Sequence, residues 1–336
     1  MNILLTGGTG YIGSHTAVLL ANCGHHVVLL DNLSNSCADV AKCIRDVVGK
    51  HLVLEVEDIL DTKAVEAVLR RNGIDTVIHF AGFKAVGASV ALPLGYFHNN
   101  VAGAVSVLRA MDAIGVKRLV FSSSATVYGV PQYLPLDEFH PTSVTNPYGR
   151  TKLHIEEILG DLAASDSAWR IAILRYFNPV GAHDSGLIGE DPSGIPTNLM
   201  PYIARVAAGR LPQLNVWGSD YPTLDGTGIR DYIHVMDLAE GHLAALDYLG
   251  RAEKACDVFN LGTGQGISVL QMVATFEAVT GCRVPYQITG RRAGDVAACW
   301  ADATKAHQIL KWRATRDLAE MCASVWGFVQ AQYVRN

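Results

Sequence analysis

No uninterrupted apolar run in this chain reaches the roughly 20 residues that a membrane-spanning helix needs. No basic segment precedes a long apolar one at the N-terminus. The chain opens directly into Asn2-Ile3-Leu4-Leu5-Thr6, and no signal peptide is expected. Cysteines occur without a pattern. The seven of them, Cys23, Cys37, Cys43, Cys256, Cys282, Cys299 and Cys322, are odd in number and include no Cys-x-x-Cys. That argues against a disulfide framework and against a zinc site, so no metal is expected. Free thiols suit a reducing compartment, and a soluble, cytoplasmic protein with no membrane partner is expected. Charge is sparse: 18% of residues are charged and the net charge is −5, which leaves no general attraction for nucleic acid. There is no internal repeat and no low-complexity tract. What the chain does have is apolar residues, at 49% enough for a sizeable core and against wholesale disorder. Its 336 residues suit one large domain or two packed ones.

In the first half, short apolar runs at 3–6, 27–31, 52–56, 76–80, 119–122 and 171–175 read as strands. Helical patterns lie between them at 12–22, 62–71, 99–113 and 148–162. Nearly all-apolar strands separated by helices indicate a parallel sheet covered on both faces. Right-handed crossovers then make it a doubly wound sheet of the Rossmann type. After about Pro179 the alternation breaks. Glycine, proline and aspartate crowd 181–196 and 218–228, which suggests long loops, and such loops are commonly functional. Helical stretches follow at 199–208, 235–249, 269–280 and 317–332. The expected organisation is a nucleotide-binding domain at 1–178, with 231–260 packing back on it. A smaller, discontinuous C-terminal α/β substrate domain would take 179–230 and 261–336.

Gly7, Gly10 and Gly13 form Gly-x-x-Gly-x-x-Gly between the first strand and the first helix. Glycine there permits a tight turn and lets the backbone approach a pyrophosphate at the helix N-terminus. Glycines also serve ordinary turns, and it is the strand-to-helix position that favours the dinucleotide reading. Asp31 ends the second strand. A carboxylate there accepts hydrogen bonds from an adenosine ribose and repels a 2′-phosphate, favouring NAD over NADP. The bland alternative is a cap for the next helix. Asp58, at the end of the third strand, is a weaker candidate for the adenine amino group, since aspartate is common in turns.

Tyr148 and Lys152 form the only Tyr-x-x-x-Lys in the chain and would share one face of a helix that begins at Pro147. Ser124 ends the preceding strand, at the crevice where such sheets bind ligands. Tyrosine has a pKa near 10, and lowering it to ~7 takes about 4 kcal/mol. An exposed ion pair supplies only about 0–1 kcal/mol, so Lys152 must act in a confined site, helped by a positive nicotinamide ring. The proposed roles are Tyr148 as base, Lys152 as its electrostatic activator and Ser124 as hydrogen-bond partner of the reacting hydroxyl. An exposed tyrosine with an unrelated lysine is the alternative.

The glycine motif with Ser124, Tyr148 and Lys152 resembles the extended short-chain dehydrogenase/reductase family. Longer strings are similar to the UDP-galactose 4-epimerases within it. In the first half they are Asp31-Asn32-Leu33-Ser34-Asn35-Ser36, Phe80-Ala81-Gly82-Phe83-Lys84-Ala85-Val86, Ser122-Ser123-Ser124-Ala125-Thr126-Val127-Tyr128-Gly129 and Asn146-Pro147-Tyr148-Gly149-Arg150-Thr151-Lys152. Tyr176-Phe177-Asn178-Pro179, Gly226-Thr227-Gly228-Ile229-Arg230-Asp231-Tyr232-Ile233-His234 and Arg291-Arg292-Ala293-Gly294-Asp295 follow.

The resemblance implies reversible inversion at sugar carbon 4 through a 4-keto intermediate, with transient hydride transfer to bound NAD. It implies that Tyr11, Ile12, Asp31, Asn32, Leu33, Ser34, Asn35, Ser36, Asp58, Ile59, Phe80, Ala81, Gly82, Phe83, Lys84, Asn99 and Phe177 hold NAD. Lys84 can also be read as a solvated lysine. Arg230 and Arg292 match the positions that hold the diphosphate, to which a guanidinium fork is suited, although lone arginines are usually surface residues. Asn178, Asn198 and Leu199 would face phosphate or sugar, Asp295 the ribose, and Asn215, Val216 and Trp217 the uracil. Tyr232 joins this set. Trp217 stands where a phenylalanine is familiar and keeps an aromatic face. Cys299, just before Trp300, stands where tyrosine restricts relatives to plain hexoses. A small residue there implies that UDP-GlcNAc and UDP-GalNAc are also accepted, unless Cys299 is an inert buried thiol.

The resemblance also implies a homodimer, through helices near 99–113 and 148–162. Two rivals stand beside this reading. A nucleotide-sugar 4,6-dehydratase would need an additional acid and base, yet Ser124 is followed by Ala125-Thr126 with no carboxylate. A non-catalytic NAD-binding protein would have no need of the Tyr148–Lys152 pair.

Overall fold

The computed structural model describes residues 1–192, 194–252, 254–292 and 294–335, without the side chains of 333–335. Six strands, β1 Asn2–Thr6, β2 His26–Leu30, β3 Val53–Glu55, β4 Thr76–His79, β5 Arg118–Ser124 and β6 Arg170–Tyr176, lie in the order β3-β2-β1-β4-β5-β6. The strand Cys256–Leu261 closes the edge beyond β6, and every pairing is parallel. Successive side chains alternate between faces. Ile3 and Leu5 enter one core, with the helices Tyr11–Asn22 and Val235–Leu249. Leu4 enters the other, with Thr62–Arg71, Gly103–Ala113 and Pro147–Ser165. Burial on both faces is what the near-continuous apolar strands require, and the sheet is doubly wound as expected.

Three local features depart from the sequence expectation. The strand Cys256–Leu261 carries Asp257 and Asn260, which break its apolar run. Both polar groups are satisfied from far along the chain: Asp257 by Lys305 at 2.6 Å, Asn260 by the Tyr128 hydroxyl at 2.6 Å. The helix Asp39–Val48, strongly two-faced and buried mainly at Ile44, was not anticipated. The helix expected over 99–113 begins with a wider turn, Phe97–Ala102, and becomes regular at Gly103–Ala113. Such widened turns recur at functional sites, and this one carries Asn99 and Asn100.

After β6, a third core gathers Met200, Ile203, Phe276 and Met321 from the helices Leu199–Ala207, Val269–Thr280 and Leu318–Arg335. Short strands connect these elements. Leu214–Trp217 pairs with Tyr286–Thr289, and Ile229–Arg230 runs between Ile267–Ser268 and Ala298–Cys299. Among the described residues, 181–196 and 218–228 contain neither helix nor strand. No helix among them is long and apolar enough to cross a membrane.

Candidate active site

The chain leaves β1 at Thr6 and turns at Gly7, whose φ of 69° suits glycine. A Cβ on Gly7 would stand 2.8 Å from the Ala81 nitrogen, and one on Gly13 would stand 2.3 Å from the Gly7 oxygen. The turn therefore closes against the segment after β4 with no room for side chains. Gly10 precedes the helix Tyr11–Asn22 and supplies no side-chain cap, so the first-turn amides of Tyr11, Ile12 and Gly13 face outward for an anion. This cradle fits a dinucleotide pyrophosphate.

Asp31 follows β2 and is nearly buried. It does not cap the next helix, whose cap position is Ala38. Instead its carboxylate accepts from the Thr9 amide at 3.2 Å, the Leu33 amide at 3.0 Å and the Ser36 hydroxyl at 3.0 Å. Asn32 donates to Asp58 at 2.9 Å, so the 31–36 loop is tied to the end of β3. Ile59 packs inward against Gly103, where a Cβ would meet it at 2.5 Å. Phe80 and Ala81 donate their amides to the Thr6 oxygen at 3.0 and 3.1 Å. Gly82 lies against Asn100, Phe83 is held by Asn100, and Phe177 is buried at the end of β6. All these residues sit at the carboxyl ends of sheet strands, where open α/β sheets bind ligands.

The Tyr148 helix starts sharply because Asn146 caps it, accepting from the Gly149 amide at 2.9 Å, and Pro147 takes the first turn. Gly149 packs on the Thr126 oxygen, which brings this first turn against Ser124–Thr126. Tyr148, Lys152 and Glu156 recur every fourth residue and share a face. Burial pushes the Tyr148 phenol up to about 12, while the Ser124 hydroxyl pulls it down. Burial draws the Lys152 ammonium down to about 8, with Glu156 pulling it back up. Lys152 donates to the Ser122 oxygen at 2.6 Å rather than to the phenol. The protein alone therefore holds the phenol protonated, and Lys152 stands by as a charge at a distance.

Across the cleft, Arg230, Arg292 and Asp295 cluster. Asp295 lies 3.7 Å from Arg230 and accepts from Arg292 at 3.2 Å. Arg230 is further fixed by the oxygens of Ile229 and Val296 at 2.8 and 2.9 Å. Strand pairing sets Cys299 opposite Arg230, and Tyr232 is buried within reach of both Arg230 and Asp295. Asn178 is exposed, its amide donating to the Asp231 oxygen at 2.9 Å. Asn215 and Trp217 are at least partly open, whereas the Val216 side chain is buried in the third core. An aliphatic residue between two outward neighbours on a strand points the other way, so Val216 offers a uracil only its backbone. Asn198, beside Leu199, is turned to Glu190. Ala293, within the string 291–295, lies outside the described residues.

The pattern that defines the NAD dependent epimerase/dehydratase family matches residues 3–262. The chain belongs to that family. It is 58% identical to the UDP-glucose 4-epimerase of Bacillus subtilis over 326 residues, 97% of this chain and 96% of that enzyme. A UDP-glucose 4-epimerase structure from Stenotrophomonas maltophila, with bound NAD and formylated UDP-arabinopyranose, superposes with a TM-score of 0.98. It is 51% identical and covers all of both chains. The Bifidobacterium longum enzyme, in complex with NAD+ and UDP, gives 0.96 at 48% identity and 99% of each chain.

Within this family framework, three neighbours of the site were not read from the sequence. Asn100 is buried, accepts from the Phe83 amide at 2.8 Å and donates to Thr151 at 3.0 Å, joining the 80–84 loop to the Tyr148 helix. The signal was present in the doublet Asn99-Asn100, of which only Asn99 was singled out. Glu156, one turn beyond Lys152, accepts from Ser123 and pairs with Arg175 at 2.6 Å. Glu190 lies in the glycine- and proline-rich stretch flagged as a functional loop.

Proposed function

We propose that the protein is a UDP-glucose 4-epimerase, interconverting UDP-galactose and UDP-glucose with a resident NAD. The observation that carries the reading is the convergence of Ser124, Tyr148 and Lys152 with the Gly7–Gly13 cradle at one edge of the sheet. The cluster of Arg230, Arg292 and Asp295 across the cleft supports a nucleotide-diphosphate sugar as substrate. The region 1–178 with 231–260 serves the cofactor, and 179–230 with 261–336 serves the UDP-sugar.

Tyr148 removes the proton of the sugar 4-hydroxyl, and Ser124 hydrogen-bonds that oxygen. When bound, NAD supplies the hydride acceptor and donor and a positive ring that favours the phenolate. Lys152 adds its charge from the same helix face. The 4-keto sugar then turns within the site, and Tyr148 returns the proton once the opposite face has been reduced. No net redox change results, so tight cofactor retention does not slow turnover. Incubation with UDP-galactose should yield UDP-glucose. A 4-keto-6-deoxy product would indicate a dehydratase, and no product a binding protein.

Cys299 supports a wider substrate range. It packs against Val127, Tyr128, Leu136, Phe177 and Ala301, and burial pushes its thiol up to about 11, so it is a small neutral group. Cys299→Tyr should lower kcat/KM for UDP-GalNAc by about tenfold to a hundredfold, the range of overpacking costs, and leave UDP-galactose turnover within a few fold. Equal loss on both sugars would remove the gating idea.

A homodimer and a cytoplasmic location are also our reading. All seven cysteines are free, which supports a reducing compartment. Large apolar side chains on Gly103–Ala113 and Pro147–Ser165 are covered or half-covered. Four exposed ones, Val86, Val90, Leu92 and Leu94, the last 83% exposed, precede Gly103–Ala113 in the chain, and such patches mark interaction surfaces. Light scattering should give twice the chain mass, and Leu94→Glu should shift it toward one chain. A parent that runs as a single chain at micromolar concentration would end this reading.

A further inference from the structure

Lys84 and Asn198, both expected to face ligands, point their polar heads at one carboxylate. Glu190 Oε1 accepts from Lys84 Nζ at 2.9 Å and from Asn198 Nδ2 at 2.7 Å. The Glu190 side chain is 11% exposed and the Lys84 side chain 53%, so a shielded carboxylate meets two donors at the solvent edge through charge-assisted bonds. Lys84 belongs to the loop after β4, on the cofactor edge. Asn198 precedes the helix Leu199–Ala207, on the other. Asparagine in that position ordinarily accepts from an amide of its own helix. Asn198 makes no such bond and donates to Glu190 instead. Tyr11 completes the assembly: its ring centre lies 5.9 Å from Lys84 Nζ and its hydroxyl donates to the Gly181 oxygen at 2.7 Å. The cleft behind Glu190, between Tyr11, Met200, Ala204 and Phe328, has about 30 Å3 of room. That suits a water or two.

We propose that Glu190 is a positioning residue that holds the Lys84 ammonium and the Asn198 amide in one orientation, coupling the cofactor edge of the cleft to its substrate edge. The inference rests on the UDP-sugar reading for what those groups face. With one hydrogen of each engaged, Lys84 keeps two donors, and Asn198 keeps a donor and a carbonyl oxygen. Those remaining groups are aimed by the shared carboxylate.

The test uses NAD-loaded protein carrying Glu190→Ala, Glu190→Gln or Asn198→Ala alone, and each Glu190 change combined with Asn198→Ala. UDP affinity is measured by calorimetry, NAD content after denaturation, and KM and kcat with UDP-galactose. Loss of a hydrogen bond to a charged group should weaken UDP binding about tenfold for Glu190→Ala. KM should rise alike while kcat stays within about threefold. Glu190→Gln keeps an acceptor oxygen and should recover most of the affinity. Adding Asn198→Ala to Glu190→Ala should cost less than about twofold more, because coupled partners are not additive. Two losses that multiply in full, or a Glu190→Ala protein that binds UDP as tightly as the parent, would overturn the proposal. Should Glu190→Ala not fold, Glu190→Leu, which also lacks an acceptor, carries the same cycle. Binding and cofactor content need no turnover. A parent that binds UDP yet leaves UDP-galactose unchanged would therefore refute the epimerase reading and leave this coupling to be judged on its own.

Discussion

Tyr148→Phe should lower kcat for UDP-galactose by about a hundredfold to ten-thousandfold, the range a positioned acid–base group supplies, while the protein keeps its NAD. The cofactor cradle is built by Gly7, Gly10, Gly13 and Asp31, none of which depends on the phenol. The ring of phenylalanine fills the same half-buried place. The pH profile provides a second readout. Lys152 keeps its charge below about pH 8 and loses it above, so its support for a phenolate fades on the alkaline side, and activity of the parent should fall there. Burial, outweighing the Ser124 hydrogen bond, leaves the phenol at about 12, so that support is needed. Lys152→Met should remove most of the activity together with the alkaline limb. Undiminished turnover by Tyr148→Phe would refute the assigned base, and a parent profile flat to about pH 10 would refute the charge assigned to Lys152.

The central strands were legible because a strand buried on both faces has to be apolar throughout, as β1, β2 and β4 nearly are. The glycine cradle was legible because its chemistry is carried by spacing within one turn. The edge strand Cys256–Leu261 was not, since Asp257 and Asn260 take their meaning from Tyr248, Lys305 and Tyr128. Glu190 was illegible as an individual residue for the same reason: its partner Lys84 lies 106 positions away. A single carboxylate in a loop carries no periodicity, and only the folded chain reveals which donors converge on it. Arg230 and Asp295 sit between these cases. Nothing in composition or spacing joins residues 65 apart in sequence, and only the resemblance brought them into one candidate site before the fold did.

Glu156→Ala should destabilise the protein by about 3–5 kcal/mol, because it removes one partner of a buried ion pair and strands the other. Arg175 and Glu156 are 7% and 6% exposed and meet at 2.6 Å. The Arg175 Nη1 already lacks a hydrogen-bond partner among the described residues, and the guanidinium lies 4.8 Å from the centre of the Tyr128 ring. At that burial, solvent cannot cheaply replace a lost carboxylate. For a chain of this size the loss corresponds to roughly 10 °C in melting temperature. Glu156→Ala should also weaken activity beyond the stability loss. Glu156 accepts from Ser123, next to Ser124, and raises the pKa of Lys152 one turn away. Without it the ammonium discharges at lower pH, so the alkaline limb of the activity profile moves down. Replacing both partners, as Glu156→Leu with Arg175→Met, removes the stranded charge and should restore much of the melting temperature. It should not restore the alkaline limb, because the apolar pair returns no negative charge to Lys152. A double variant that recovered both would show that Glu156 serves the site through packing alone.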